Sequence, residues 1–215
     1  MSTPVVHRFE IGPMDNFVYI IADPATQQCV FLDPAWDVPL LKRTVEENGY
    51  TPTAIWLTHG HHDHVNGIPE VLDSYSLPLW VSYQEASSLT PDVPYLRRIT
   101  PGTHLTCGEL TAICHITPGH TPGGVCFEMG DVLFTGDTLF VDGCGRCNFD
   151  NSNVNDMYDS LQLISDLSGS LEIHPGHSYG YQKTDTIEAQ KKRNRFLLCK
   201  IRDEFISKRM GIRIQ

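Results

Sequence analysis

No apolar run in the 215-residue chain exceeds FVYIIA at residues 17–22. A membrane-spanning helix needs ~20 such residues, so the reading assigns no membrane partner. There is no internal repeat and no low-complexity segment, which excludes solenoids and composition-driven disorder. Basic residues are scarce, 16 Lys and Arg against 26 Asp and Glu for a net charge of −10. An acidic body is the wrong sign for general nucleic-acid binding. Cysteine is limited to seven residues, an odd and scattered set in a chain too large to depend on staples, so reduced thiols and a cytoplasmic setting are expected. Cys144 and Cys147, in GCGRC, have the spacing of a redox or zinc pair but no second pair nearby, and are read as buried thiols. The opening MSTPVVHRFEIGPMDNF carries charges where a secretory leader would be apolar, so no targeting segment is expected. What is present, 40% hydrophobic and 20% charged residues, describes one globular domain with at most a small appendage.

Charge is unevenly placed. From residue 191 onward, nine bases (Lys191, Lys192, Arg193, Arg195, Lys200, Arg202, Lys208, Arg209, Arg213) face only Asp203 and Glu204, a tail of +7 on a remainder of −17. Such a tail is either a solvated helix face or an anion-recognition patch.

Hydrophobic patterning alternates between strand and helix periods. VVHRFEI, NFVYIIA and QCVFLD are β-branched and aromatic, and Gly12-Pro13 and Pro24 separate them, as in an antiparallel run. VPLLKRTVEENG has helical spacing with a glycine stop at Gly49. TAIWLT is a strand, GIPEVLDSY a helix and PLWVS a strand. LTAICHI, GVCFEMG, DVLFTG and LEIHPG are further strands. NVNDMYDSLQLISDL is a capped amphipathic helix, and one closing helix is expected over 187–208.

Several of these strands end at a metal-ligand residue type: Thr58-His59, Thr117-Pro118-Gly119-His120, Thr135-Gly136-Asp137 and Pro175-Gly176-His177. Strand ends on one edge of a sheet converge, and Gly and Pro let the chain turn there. The densest exit is WLTHGHHDHVNG, residues 56–67. In an extended loop, His59 and His61 point one way by the period of two, and Asp63 and His64 face a second position. His120 completes the first cluster and His177 the second, and the two oxygens of Asp137 bridge them. Imidazole and carboxylate without thiolate suit two divalent ions, zinc before iron or manganese. Asp63 and Asp137 are assigned to catalysis as well as to metal. His62 is expected on the opposite face of the loop, and His7, His104, His115 and His174 are read as structural.

The set His59-x-His61-x-Asp63-His64, TPGHTPG, FTGDTLF and HPGHSYG resembles the metallo-β-lactamase superfamily, and GDTLFVDGCGR is similar to its glyoxalase II branch. The resemblance implies an α/β fold, an αββα sandwich with metals at one edge of the paired sheets. Residues 1–180 form the catalytic domain, and 181–215 a short helical extension packed on it. It implies one metal on His59, His61 and His120, another on Asp63, His64 and His177, and Asp137 between them. A metal-bound hydroxide would attack a thioester carbonyl, and the thiolate leaves without an acid because thiol pKa values lie near ~8.5. Arg146 and Tyr179 match residues that hold glutathione in that branch. Asn148 stands where the branch has an aromatic, and the closing region is shorter. GPMDNFVYIIAD and RNRFLLCKIRDEF are more similar to glyoxalase-like hydrolases of polyketide clusters, which implies a thioester on an acyl carrier protein. The rival readings are glyoxalase II proper, a persulfide dioxygenase with one iron on His59, His120 and Asp137, and a non-catalytic metal-stabilised binding module. Lactamases and nucleases share the fold, but GDTLFVDGCGR points away from both.

Overall fold

The computed structural model describes residues 3–87, 89, 93 and 95–212, so Arg213 of the basic tail lies outside the described residues. The chain opens with an antiparallel meander, β1 (Val5–Ile11), β2 (Asn16–Ala22) and β3 (Gln28–Leu32). Next come α1 (Val38–Asn48), β4 (Thr51–Trp56), the short helices α2 (His62–Val65) and α3 (Ile68–Ser74), β5 (Leu79–Ser82) and β6 (Leu96–Ile99). They complete a six-stranded sheet of order β1-β2-β3-β4-β5-β6, parallel from β3 onward.

The second sheet begins with the antiparallel strands β7 (His104–Cys107), β8 (Leu110–Ile116), β9 (Val125–Met129) and β10 (Val132–Gly136). A small hairpin of β11 (Leu139–Phe140) and β12 (Gly143–Cys144) precedes α4 (Val154–Ser165), and β13 (Glu172–Pro175) then pairs parallel to β10. β14 (Asp185–Thr186) adds the last strand, giving the order β14-β13-β10-β9-β8-β7, and α5 (Ile187–Arg193) and α6 (Arg202–Met210) close the chain.

The layers follow from side-chain alternation. In β2, Phe17, Tyr19 and Ile21 face the second sheet and pack with Trp56, Phe127 and Phe134. Val18, Ile20 and Ala22 face Val38, Leu41 and Val45 of α1. A strand covered on both faces reads as a continuous apolar run, as this one does. Beyond the second sheet, Leu133 and Ile173 pack against Met157, Leu161 and Ile164 of α4 and against Phe196 and Phe205 of the closing segment. The result is an αββα sandwich. Each large side chain fully buried this way contributes about 1.5–3 kcal/mol. Helix α1 is stopped at both ends as its sequence demands: the Asp37 carboxylate accepts from Leu40 N–H at 3.0 Å, and Gly49 sits at φ 68°.

Two expectations need correction, and two strands were not expected at all. The closing helix is two helices, because the buried Asn194 turns its amide to donate to the carbonyls of Phe140 and Gly143 at 3.3 and 3.0 Å. That ties the chain to the β11–β12 hairpin instead of continuing the helix. The histidine loop is extended only as far as His61 (φ −67°, ψ 145°), and the next four residues form α2. Asp63 and His64 therefore diverge by about 100°, the helical step, and not by strand alternation. The strands β6 and β7 went unread because both are short edge strands, LRRI and HLTC, with polar exposed positions. Among the described residues no helix is long and apolar enough to cross a membrane.

Candidate metal centre

The site is assembled at one rim of the sandwich, where strands of both sheets end. β4 leads into His59, His61, Asp63 and His64; β8 leads to His120, β10 to Asp137 and β13 to His177. Two of these exits need glycine for space. A Cβ on Gly136 (φ 47°) would meet Thr58 Oγ1 at 2.5 Å, and one on Gly176 would meet Asp137 Oδ1 at 2.5 Å.

The side chains fall into two groups. His61 Nδ1 lies 3.1 Å from His59 Nε2 and 3.0 Å from His120 Nε2. Asp63 Oδ2 lies 3.5 Å from both His64 Nε2 and His177 Nε2, which are 3.2 Å apart. Asp137 stands between them. Its Oδ2 is 3.2 Å from His120 Nε2, and its Oδ1 is 3.5 and 3.4 Å from His64 and His177 Nε2. That Oδ1 is buried with no hydrogen-bond partner, an arrangement a cation would satisfy. Within each group the potential donor atoms lie within 4.8 Å of one another. All seven sequence-predicted metal ligands thus meet at one place, and the donor set fits divalent metal ions.

Backbone and side-chain acceptors hold the outer nitrogens. His120 Nδ1 is 2.8 Å from the Arg146 carbonyl, His177 Nδ1 is 2.8 Å from the Met14 carbonyl, and His64 Nδ1 is 3.0 Å from Asp33. When the ring is neutral, donation there leaves Nε2 as a lone pair aimed inward. A third possible group, Asp33 with His59 and His64, is support and not a further site. Its carboxylate already accepts from Thr58 N at 2.7 Å, Thr58 Oγ1 at 2.6 Å and His64.

Burial, then the neighbouring imidazole of His64, holds His59 well below the ordinary histidine value. His61 is lowered to about 4, by burial and then by His120. Burial also pushes His64 down, but Asp137, Asp33 and Asp63 outweigh it and raise the group to about 9. Burial would raise Asp137, yet His64, His120 and His177 keep it well below the carboxylate range, and so ionised.

Outside the ligands lies a cleft of about 680 Å³ lined by His61, Asp63, Asp137 and Tyr179 among others. The Tyr179 ring stacks on His177 at 4.6 Å. Arg146 lines the cleft with its guanidinium 4.6 Å from the Phe149 ring centroid. Asn148 is exposed and does not line the cleft; Phe149, one residue on, supplies the aromatic instead, 5.1 Å from His61. His62, expected on the opposite face of the loop, is exposed with its ring edge-on to Trp36, but it also lines the cleft. Cys144 and Cys147 are buried and belong to neither ligand group, and all seven cysteines are free thiols.

Sequence reasoning missed Asp33, Asn16 and Phe149, and named Arg195 and Arg209 only as members of the basic tail. Asp33 carried a usable signal, since FLDP is one more apolar strand ending in a carboxylate and a proline. Asn16 starts a strand and gives no such signal, yet its amide donates to Asp63 Oδ2 at 2.8 Å while accepting from Trp36 Nε1. Arg195 and Arg209 lie in the basic tail but line the cleft.

Fold and donor set define a metal-binding protein of αββα architecture. The chain belongs to the metallo-beta-lactamase superfamily, whose sequence profile matches residues 11–177. It is 31% identical over 192 residues to "Probable polyketide biosynthesis zinc-dependent hydrolase PksB" of Bacillus subtilis, covering 89% of this chain and 85% of that protein. It is 36% identical over 166 residues to a hydroxyacylglutathione hydrolase of Enterobacter sp., covering 77% of this chain but only 62% of that protein. Among solved structures it is similar to ETHE1 from Myxococcus xanthus, with a TM-score of 0.88 at 28% identity, covering 98% of this chain and 92% of that one.

Proposed function

We propose that the protein is a dinuclear zinc hydrolase that cleaves acyl thioesters presented on the phosphopantetheine arm of an acyl carrier protein. The observation that carries the hydrolytic reading is Asp137, with one oxygen toward each ligand group and a cleft opening onto both. Two divalent ions held there would supply hydroxide at neutral pH and positive charge for the carbonyl oxygen. His59, His61 and His120 would hold one, Asp63, His64 and His177 the other, and Asp137 both. The open cleft argues against a closed structural metal knot. Asp137 stays ionised and cannot donate a proton to a leaving group. A thiolate needs none, which favours thioesters over substrates with poorer leaving groups. Tyr179 is raised above the ordinary tyrosine value by burial and then by Asp137. It therefore remains a neutral potential donor in the cleft beside His177.

The carrier reading rests on charge and on similarity. Among the described residues, the tail cations Lys192, Arg193, Arg202 and Lys208 are spent on carboxylates of Glu188, Asp142, Asp185, Asp159 and Glu204. Lys191 bonds the Ser165 carbonyl. The cleft-lining Arg146, Arg195 and Arg209 have no carboxylate partner among the described residues. Three such guanidiniums in a protein of net charge −10 form a local anion seat for the arm's phosphate. The similarity to a relative named as a polyketide biosynthesis zinc-dependent hydrolase, which extends over 89% of this chain, supports the same reading.

The test is metal analysis with steady-state kinetics on one acyl group carried by carrier protein, by phosphopantetheine and by glutathione. Two zinc ions per chain and preference for the phosphate-bearing thioesters are expected. Arg195→Glu with Arg209→Glu should raise KM for those substrates about tenfold, less so at high salt, while a small neutral thioester is unaffected. Lys191→Glu with Lys192→Glu should change little. Preference for the glutathione thioester would make the enzyme a glyoxalase II. One iron per chain with oxygen uptake would make it a persulfide dioxygenase.

A further inference from the structure

The strand β5 ends at the same rim as the ligand-bearing strands but carries no ligand. It leads into a single 3-10 turn, Glu85–Ser87. Glu85 is only 4% exposed, and its backbone N–H donates to Ser82 Oγ at 3.2 Å. Its carboxylate points into the gap between two loops distant in sequence. Oε2 accepts from Gly60 N–H at 3.0 Å, and Oε1 accepts from Gly123 N–H at 2.8 Å. Gly60 lies between His59 and His61, and Gly123 lies three residues beyond His120. The fit leaves no slack at the second loop. A Cβ on Gly123 would meet Ser82 Oγ at 2.1 Å and Glu85 Cγ at 2.8 Å.

We infer that Glu85 is a positioning residue for the His59–His61–His120 group alone, clamping the two loops whose spacing sets that group's geometry. One carboxylate holds both loops through its two oxygens, and truncation would leave two backbone donors behind the site without their acceptor. The other group is held by different means. Asn16 donates to Asp63, Met14 accepts from His177 and Asp33 accepts from His64. The clamp should therefore act on one metal position and not on both. This rests on the two-metal reading given above, but not on the identity of the substrate.

The test compares wild type, Glu85→Ala, Glu85→Gln and, as the mirror case, Asn16→Ala. Each apoprotein is titrated with Zn²⁺ against a chromophoric chelator. Each is also crystallised at limiting zinc, to read anomalous occupancy at the two positions. Glu85→Ala should weaken binding at the three-histidine position by about 10- to 100-fold, the usual cost of losing an outer partner, and leave the other near wild type. Glu85→Gln keeps one carbonyl acceptor and should fall between. Asn16→Ala should deplete the opposite position. Equal loss at both positions in the Glu85 variants, or full occupancy at both, overturns the clamp. A wild-type chain that binds a single ion overturns the two-metal reading separately. The clamp then stands only if that ion sits on the three histidines and Glu85→Ala loosens it.

Discussion

The two ligand groups share Asp137 and lie side by side, yet they differ in chemistry and in what supports them. The group of His59, His61 and His120 is all imidazole, with His61 turned so that Nδ1 faces in and Phe149 against its ring. Its His59 and His61 are depressed and hence neutral, the form that binds metal. The group of Asp63, His64 and His177 contains a carboxylate, and its two imidazoles are raised despite their burial, by Asp137 above all in His177 and by Asp137, Asp33 and Asp63 in His64. Hydrogen-bonding support differs in the same way. The first group has the Arg146 carbonyl on His120 and the loop N–H groups caught by Glu85, and the second has the Met14 carbonyl on His177 with the side chains of Asn16 and Asp33. Neighbouring positions built from opposite electrostatics can be perturbed separately, whereas the shared carboxylate cannot.

The largest effect follows from that shared group. Asp137→Ala removes the carboxylate that faces both groups, so cations held at the two positions would lose their common counter-charge. Metal content should fall at both positions with the circular dichroism spectrum unchanged. Turnover should drop by more than about 100-fold, the upper range for outer partners. Full metal content with full turnover would show that the two positions do not depend on Asp137.

Next in size is a pair that separates ligand from bystander within one short loop. His61→Ala removes a member of the three-histidine group and should abolish turnover while sparing the Asp63 position. His62 is exposed and rests on Trp36, which in turn donates to Asn16 behind Asp63. His62→Ala should thus cost at most about tenfold, and through the second position. Equal losses, or losses at the same metal position, would erase the distinction between the two supports.

How much of this was readable in the chain differs between the groups for a physical reason. The ligands themselves stood out, because four histidines and an aspartate within six residues and three more strand exits have no cheap structural explanation. The sandwich was legible from β2, whose continuous apolar run needs cover on both faces. The supports were not legible. Glu85 and Asn16 act across 25 to 47 residues of separation, which no local pattern encodes. The geometry of Asp63 and His64 was misread because a four-residue helix is too short to show a period. The tail's charge was visible but not its use, since Lys192, Arg193, Arg202 and Lys208 pair with acids while Arg195 and Arg209 face the cleft.

The smallest effect is expected at the cysteine pair, which adjoins the cleft but belongs to neither ligand group. Cys144 and Cys147 lie in the apolar cluster beneath the β11–β12 hairpin with Leu139, Phe196 and Phe205. Burial pushes their thiols up to about 12 and about 11, in both cases against the pull of Arg209. A raised thiol pKa means the group stays protonated and uncharged through the neutral range. At pH 8 the thiolate fraction of Cys147 is then about one in a thousand. Iodoacetamide at that pH should label neither residue in the folded protein and both after denaturation, read by peptide mass spectrometry. Cys147→Ser should leave zinc at both positions and keep kcat within about twofold. Its cost should fall on stability instead, about 1–3 kcal/mol for placing a hydroxyl in an apolar cluster. Rapid labelling at pH 8, or loss of turnover with both metals retained, would show that a thiolate takes part and that the metal ligands do not act alone.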